Sequence, residues 1–137
     1  MKIEVLTVDH LANLDIRPEQ TEFEPEEFLA AIGKLEGYAI IEADEVVACA
    51  VFVPMHEKVE TLIFGFSKNC TTYRSKKALL KAAPFFMNRL KPRQQCFVNK
   101  DFEAAATFVE HFGFVKEGLL KSFNKDGTDV YIYGRVR

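Results

Sequence analysis

Three cysteines, Cys49, Cys70 and Cys96, are all this 137-residue chain contains, and no two form a Cys-x-x-Cys pair. Their spacing indicates neither a disulfide framework nor a zinc site, and a reducing, cytoplasmic setting suits them best. No stretch reaches the ~18 apolar residues that a membrane-spanning helix needs. The apolar run at the start, Met1 to Val8, contains an acid, so no membrane segment and no cleaved signal is expected. Charge of one sign is not in excess either. The net charge of −2 argues against a nucleic-acid partner, which would need a clustered positive field. Repeats, low-complexity tracts and an internal linker are missing. His10, His56 and His111 are scattered without metal-ligand spacing or a Ser or Cys partner, so neither a metal nor a hydrolytic triad is indicated. What is present is apolar material: 48% hydrophobic residues, enough for one core in a single domain over 1–137.

The order of elements follows from periodicity. Lys2 to Val8 alternates as a strand, with Ile3 and Val5 on one face. A short helix is expected over His10 to Leu14, in a segment, Asp9 to Glu24, that otherwise shows no clear pattern. Pro25 then opens a helix carrying Phe28, Ile32 and Leu35, with Gly37 just past its end. Tyr38 to Glu42, Val46 to Val53 and Val59 to Phe66 are three runs with short polar breaks, as in an antiparallel meander. Ser75 to Leu90 reads as a helix with Leu79, Ala82, Ala83, Phe86 and Leu90 on one side, and Pro84 should kink it or leave a carbonyl unpaired. Gln95 to Val98 is a short strand. Asp101 to Phe112 is an amphipathic helix closed by Gly113. Phe114 to Phe123 and Thr128 to Val136 are strands around the turn Asn124-Lys125-Asp126-Gly127, with Tyr131, Tyr133 and Arg135 on one face of the last.

This order, β-α-(α)-β-β-β-α-β-α-β-β, resembles the GNAT N-acetyltransferases. It implies an α/β (α+β) fold with a mixed, mostly antiparallel sheet of about seven strands, splayed between the fourth and fifth to admit acetyl-CoA. The segment Ala105-Ala106-Thr107-Phe108-Val109-Glu110-His111-Phe112-Gly113-Phe114 is similar to the family's helix-four signature. Gly113 is suited to a left-handed cap, and Phe114 to dropping into the core as the next strand begins.

The signature is incomplete where function would reside. The family holds the CoA pyrophosphate on a glycine-rich loop after strand four. The matching segment, Ser67 to Leu80, keeps Tyr73-Arg74 and Ala78-Leu79-Leu80 as its flanks but has no glycine between them. Charge takes their place: Lys68, Arg74, Lys76, Lys77 and Lys81 surround the expected helix start, either as phosphate ligands or as a solvated helix face. Where relatives carry a cofactor-contacting Asn this chain has Phe102, and where they carry a proton-donating Tyr it has Val109. Both complete an apolar stripe. Asn99 is either a substitute for that Asn or a helix cap.

The candidates that follow are few. Glu60 stands where many relatives place the general base, and is otherwise an exposed glutamate beside Lys58 at the start of its strand. Phe64, Gly65 and Phe66 offer backbone groups to pantetheine, although Gly65 equally suits a bulge. Tyr73, Ser75, Arg74, Lys76 and Lys77 are the expected cofactor loop. Tyr73, Tyr131 and Tyr133 are candidate replacement acids, Tyr131 foremost, and Cys70 beside the basic loop is either an activated thiol or inert. The resemblance therefore implies an acetyl-CoA-dependent N-acetyltransferase acting on an amine of a small molecule or protein. The alternative is a GNAT-fold binding or structural protein without catalysis, like acetyltransferase-like virion or accessory proteins of tailed phages. Tyr131, Tyr133 and the phenylalanines also suit a homodimer interface.

Overall fold

The structure, a computed structural model, describes residues 1–18, 25–68, 70 and 72–137. Seven strands form one sheet: β1 (Lys2–Val5), β2 (Glu36–Glu42), β3 (Glu45–His56), β4 (Val59–Phe66), β5 (Arg93–Asn99), β6 (Val115–Leu120) and β7 (Val130–Val136). Their spatial order is β1-β2-β3-β4-β5-β7-β6, and every neighbouring pair is antiparallel except β4 with β5. The helices are α1 (Val8–Ala12), α2 (Pro25–Ala31), α3 (Tyr73–Met87) and α4 (Glu103–His111). The expected fold class and element order are therefore the observed ones.

Strand alternation gives the sheet two apolar faces. Ala39, Cys49 and Val51 pack with Leu6 and Phe28 on the side of α1 and α2. Ile40, Ala48, Ala50, Phe52 and Leu62 belong to the larger core with Leu79, Ala82 and Phe86 of α3, Ala105 and Val109 of α4, and Tyr133 of β7.

Element ends differ from expectation where side chains capture the backbone. The first strand stops at Val5 because Thr7 and His10 form a reciprocal capping box that starts α1 two residues earlier than periodicity suggests. The helix opened by Pro25 ends at Ala31, with Gly33 in the left-handed region (φ 82°) just beyond. Gly37 is not its terminator. It lies inside β2, where an added Cβ would come within 3.2 Å of Leu6 and 3.3 Å of Val51. α3 starts at Tyr73, because the Thr72 side chain accepts from the Ser75 N–H, and ends at Met87. Leu90, expected on its buried stripe, is 98% exposed. α3 continues through Pro84, whose carbonyl accepts from the Asn88 N–H at 2.9 Å.

The corner after α4 has the expected chemistry in full. Gly113 takes φ 89°, its N–H donates to the Glu110 carbonyl, and the Phe114 N–H donates to that of Val109, the two bonds of a Schellman motif. Phe114 is buried. Gly113→Ala is expected to cost about 1–2 kcal/mol in urea unfolding. The penalty comes from the backbone, since an added Cβ would meet nothing nearer than Arg135 Nε at 3.7 Å. The final turn also forms where expected, with Gly127 at φ 83° donating to the Asn124 carbonyl, although its flanking strands are shorter than the pattern implies.

Candidate functional site

β4 and β5 pair at only three positions, Val59 to Thr61 against Arg93 to Gln95. β4 remains paired along its length with β3, and β5 with β7. Each strand follows its outer neighbour beyond Thr61 and Gln95, so the two part and a wedge opens between them. α3 is the crossover that a parallel pair requires, and it delivers its N-terminus to the open end.

Aromatic side chains fill the wedge. Phe64 and Phe66 stack at 5.7 Å, Phe66 meets Phe102 edge-on at 6.0 Å, and Phe108 of α4 closes on both at about 6 Å. The void left among Phe64, Phe66, Cys96, Phe102 and Val109 is about 20 Å³. Above the wedge, between α3 and α4, lies a cavity of about 400 Å³. Phe66, Leu79, Leu80, Phe102, Ala105 and Phe108 make it mostly apolar, and Arg17, Cys70, Lys76, Thr107 and His111 contribute its polar edges.

The expected cofactor-binding residues separate into two groups. Lys76 and Phe66 line the cavity. Arg74 does not: its Nε donates to Glu42 at 2.7 Å, which also receives the chain's amino group. Tyr73 is 81% exposed, Lys77 is exposed on α3, and Ser75 is buried in the cap with Thr72. Lys68 pairs with Asp15 at 3.1 Å. Asn69 and Thr71 of the same segment lie outside the described residues. Gly65 pairs in register with Cys49, without a bulge. Asn99 is buried at the end of β5, where its side-chain oxygen accepts from Asn124 at 2.7 Å; α4 has no side-chain cap.

The catalytic candidates occupy different surroundings. Glu60 is not an exposed glutamate at a strand end. It is 1% exposed, and its carboxylate accepts from Arg89 Nε at 3.0 Å, Arg89 Nη2 at 3.1 Å and Gln94 Nε2 at 2.9 Å. Arg89 also grips Glu36 with two bonds, and this holds the Glu36 carboxyl below its ordinary range. Tyr131 is half-buried on β7, with the Lys116 ammonium 3.8 Å over its ring. Tyr133 is fully buried and donates to Glu110 at 3.2 Å; burial, with the negative charge of Glu110, pushes its hydroxyl up to about 12. Cys70 is not activated: burial raises its thiol and outweighs the opposing pull of Arg17 and Lys76.

No family model matches the sequence, and no curated protein is similar to it in sequence. Solved structures are similar in shape. Ard1 from Thermoplasma volcanium superposes with a TM-score of 0.75 at 17% identity, over 98% of this chain and 96% of that one. The chain has the GNAT fold. The Escherichia coli ribosomal-protein-S18-alanine N-acetyltransferase gives 0.71 at 15% identity, over 98% and 92% of the two chains. A GNAT family acetyltransferase from Elizabethkingia anophelis with acetyl-CoA bound gives 0.70 at 14% identity, over 99% and 97%.

Parts of the cavity lining were not legible in the sequence. Arg17 lies in a segment without periodicity, and the bridge between Ile16 and Ser67, with the Arg17 N–H donating to the Phe66 carbonyl at 2.9 Å, places it beside the end of β4. Phe108 and His111 were legible as helix residues, but the 3.6-residue periodicity of α4 does not say which of its sides faces a cavity.

Proposed function

We propose that this chain binds acetyl-CoA in the α3–α4 cavity and transfers the acetyl group to an amine of a small molecule or protein. The observation that carries the reading is a concave, mostly apolar space of about 400 Å³ at the point where β4 and β5 part. Its size suits a ligand arm of small-molecule dimensions. The solved structures of the same fold include N-acetyltransferases, one of them with acetyl-CoA bound.

In this reading the end of β4, Phe64 to Phe66, lies against the pantetheine arm. The amine nitrogen attacks the thioester carbon, the C–S bond breaks, the ammonium formed loses a proton and the thiolate gains one. Tyr131 is the proposed donor to the thiolate. Glu60, occupied by Arg89 and Gln94, serves to hold β4 against the end of α3. The second reading is binding without turnover; it draws on the aromatic filling that leaves about 20 Å³ among Phe64, Phe66 and Phe102.

Acetyl-CoA at 100 times its dissociation constant is expected to add about 2.7 kcal/mol of stability, or about 10 °C in melting temperature for a domain of this size. Thermal unfolding with and without acetyl-CoA checks binding, and CoA release with a panel of amines checks transfer. No shift at millimolar acetyl-CoA would overturn the proposal; a shift without CoA release would leave the second reading.

A further inference from the structure

The sheet consists of two antiparallel parts. β1 to β4 form one and β5, β7 and β6 the other, and among the described residues the three register pairs between β4 and β5 are the strand pairing that joins them. Parallel pairing is slightly the weaker kind per residue, so side chains matter more at this junction than along the antiparallel pairs. Alternation puts Glu60 and Gln94 on the α3 face, where Gln94 donates to Glu60 and to the Phe86 carbonyl. Thr61 and Gln95 face the other way.

On that second face a continuous line of side chains spans four strands. Gln95 Nε2 donates to the Thr61 hydroxyl at 3.0 Å, tying β5 to β4. Arg93 donates from Nε and Nη2 to the Gln95 side-chain oxygen at 3.4 and 3.3 Å. From Nη2 and Nη1 it also donates to the two carboxylate oxygens of Glu117 on β6, at 2.5 and 3.0 Å. β7 lies between β5 and β6, so this ion pair must pass over it. The crossing is at Gly134, where an added Cβ would come within 2.5 Å of Glu117 Oε1 and 2.6 Å of Arg93 Nη1. Glu117 itself sits at the register shift between Lys116 and Gly118, and a bulge of this kind re-aims a side chain. An absent side chain on one strand and an extra residue on the next thus serve the same contact. Its position is the narrow end of the wedge, since β4 and β5 cease to pair beyond Thr61 and Gln95.

We infer that Thr61, Gln95, Arg93 and Glu117 form a strap that pins the narrow end of the wedge and sets the angle at which β4 and β5 part. They are positioning residues for the ligand of the α3–α4 cavity, and none of the four lines it. The cavity stands where the strands part, so a change of angle changes its width. The pinning follows from the fold alone; its effect on a ligand rests on acetyl-CoA being that ligand.

Hydrogen exchange of the full chain, followed amide by amide, tests the strap. The Arg93 N–H donates to the Lys58 carbonyl at the junction. Glu117→Gln and Gly134→Ala are each expected to speed its exchange about fivefold, with the β2–β3 amides as in wild type. Gly134→Ala deletes no charge and no hydrogen-bonding group, so the same response in both variants assigns the effect to the contact. Arg93→Glu combined with Glu117→Arg should recover part of the protection. Arg74→Gln, which breaks the pair with Glu42 on β2, should leave the Arg93 amide unchanged. In calorimetric titration with CoA, Glu117→Gln and Gly134→Ala should each bind about threefold more weakly than wild type. Arg93 exchange that is unchanged in both variants, or speeded no more than that of the β2–β3 amides, overturns the strap. Faster junction exchange with CoA affinity undiminished overturns the positioning role. No CoA binding to wild type overturns the cofactor reading, and the exchange result then decides the strap by itself.

Discussion

Arg89→Ala is expected to lower the unfolding free energy by about 3–5 kcal/mol, measured in urea. The reason is what the substitution leaves behind. Glu60 is 1% exposed at the one place where β4 and β5 pair, and two of its three hydrogen-bond donors come from the Arg89 guanidinium. Without them a buried carboxylate retains only Gln94. Arg89 also lies 3.8 Å over the Phe52 ring and holds Glu36, so the segment just after α3 loses its electrostatic link to β2 and β4 together. Glu60→Gln removes the charge instead of stranding it, so its expected cost is smaller, about 1–2 kcal/mol. The same variant separates structure from catalysis. Retained CoA release in the Glu60→Gln protein would identify Glu60 as an anchor, whereas a loss of a hundredfold or more with acetyl-CoA binding intact would identify it as the base.

Phe66→Ala is expected to cost about 3–4 kcal/mol. Phe66 is 7% exposed and its ring lies within about 6 Å of those of Phe64, Phe102 and Phe108, so truncation empties the centre of the wedge. The value falls short of the upper limit for a buried phenylalanine because one side of the ring already borders the cavity. Phe66→Leu, which keeps most of the volume, should cost below about 1.5 kcal/mol. Urea unfolding of both variants provides the comparison. Equal losses would show that aromatic contact, rather than filled volume, closes the seam.

Those two residues mark where sequence reading stops. Phe66 was legible as the end of a strand and Glu60 as an acid within it, because an apolar run bounded by polar breaks is visible along a few residues. Their partners were not. Arg89 is 29 residues from Glu60, and Arg74 is 32 residues from Glu42. Such pairs are set by sheet register and helix docking, which no local spacing encodes. The same limit explains why five lysines and arginines around the start of α3 looked alike in the sequence, although only one of them, Lys76, lines the cavity.

Local chemistry did determine a good deal of this protein. Alternation and short apolar runs between polar breaks marked the strands, Thr72 and Pro25 began two helices, and Gly113 with Phe114 turned the chain from α4 into β6, because each acts within a few residues. The succession of those elements was sufficient to indicate the GNAT fold. Tertiary structure alone decided that β4 and β5 pair over three residues before parting, that phenylalanines fill the parting, and that Arg17 reaches the cavity while Arg74 turns away. Each of these depends on competition among distant groups for the same space or the same charge, and that competition is resolved only when the sheet is assembled.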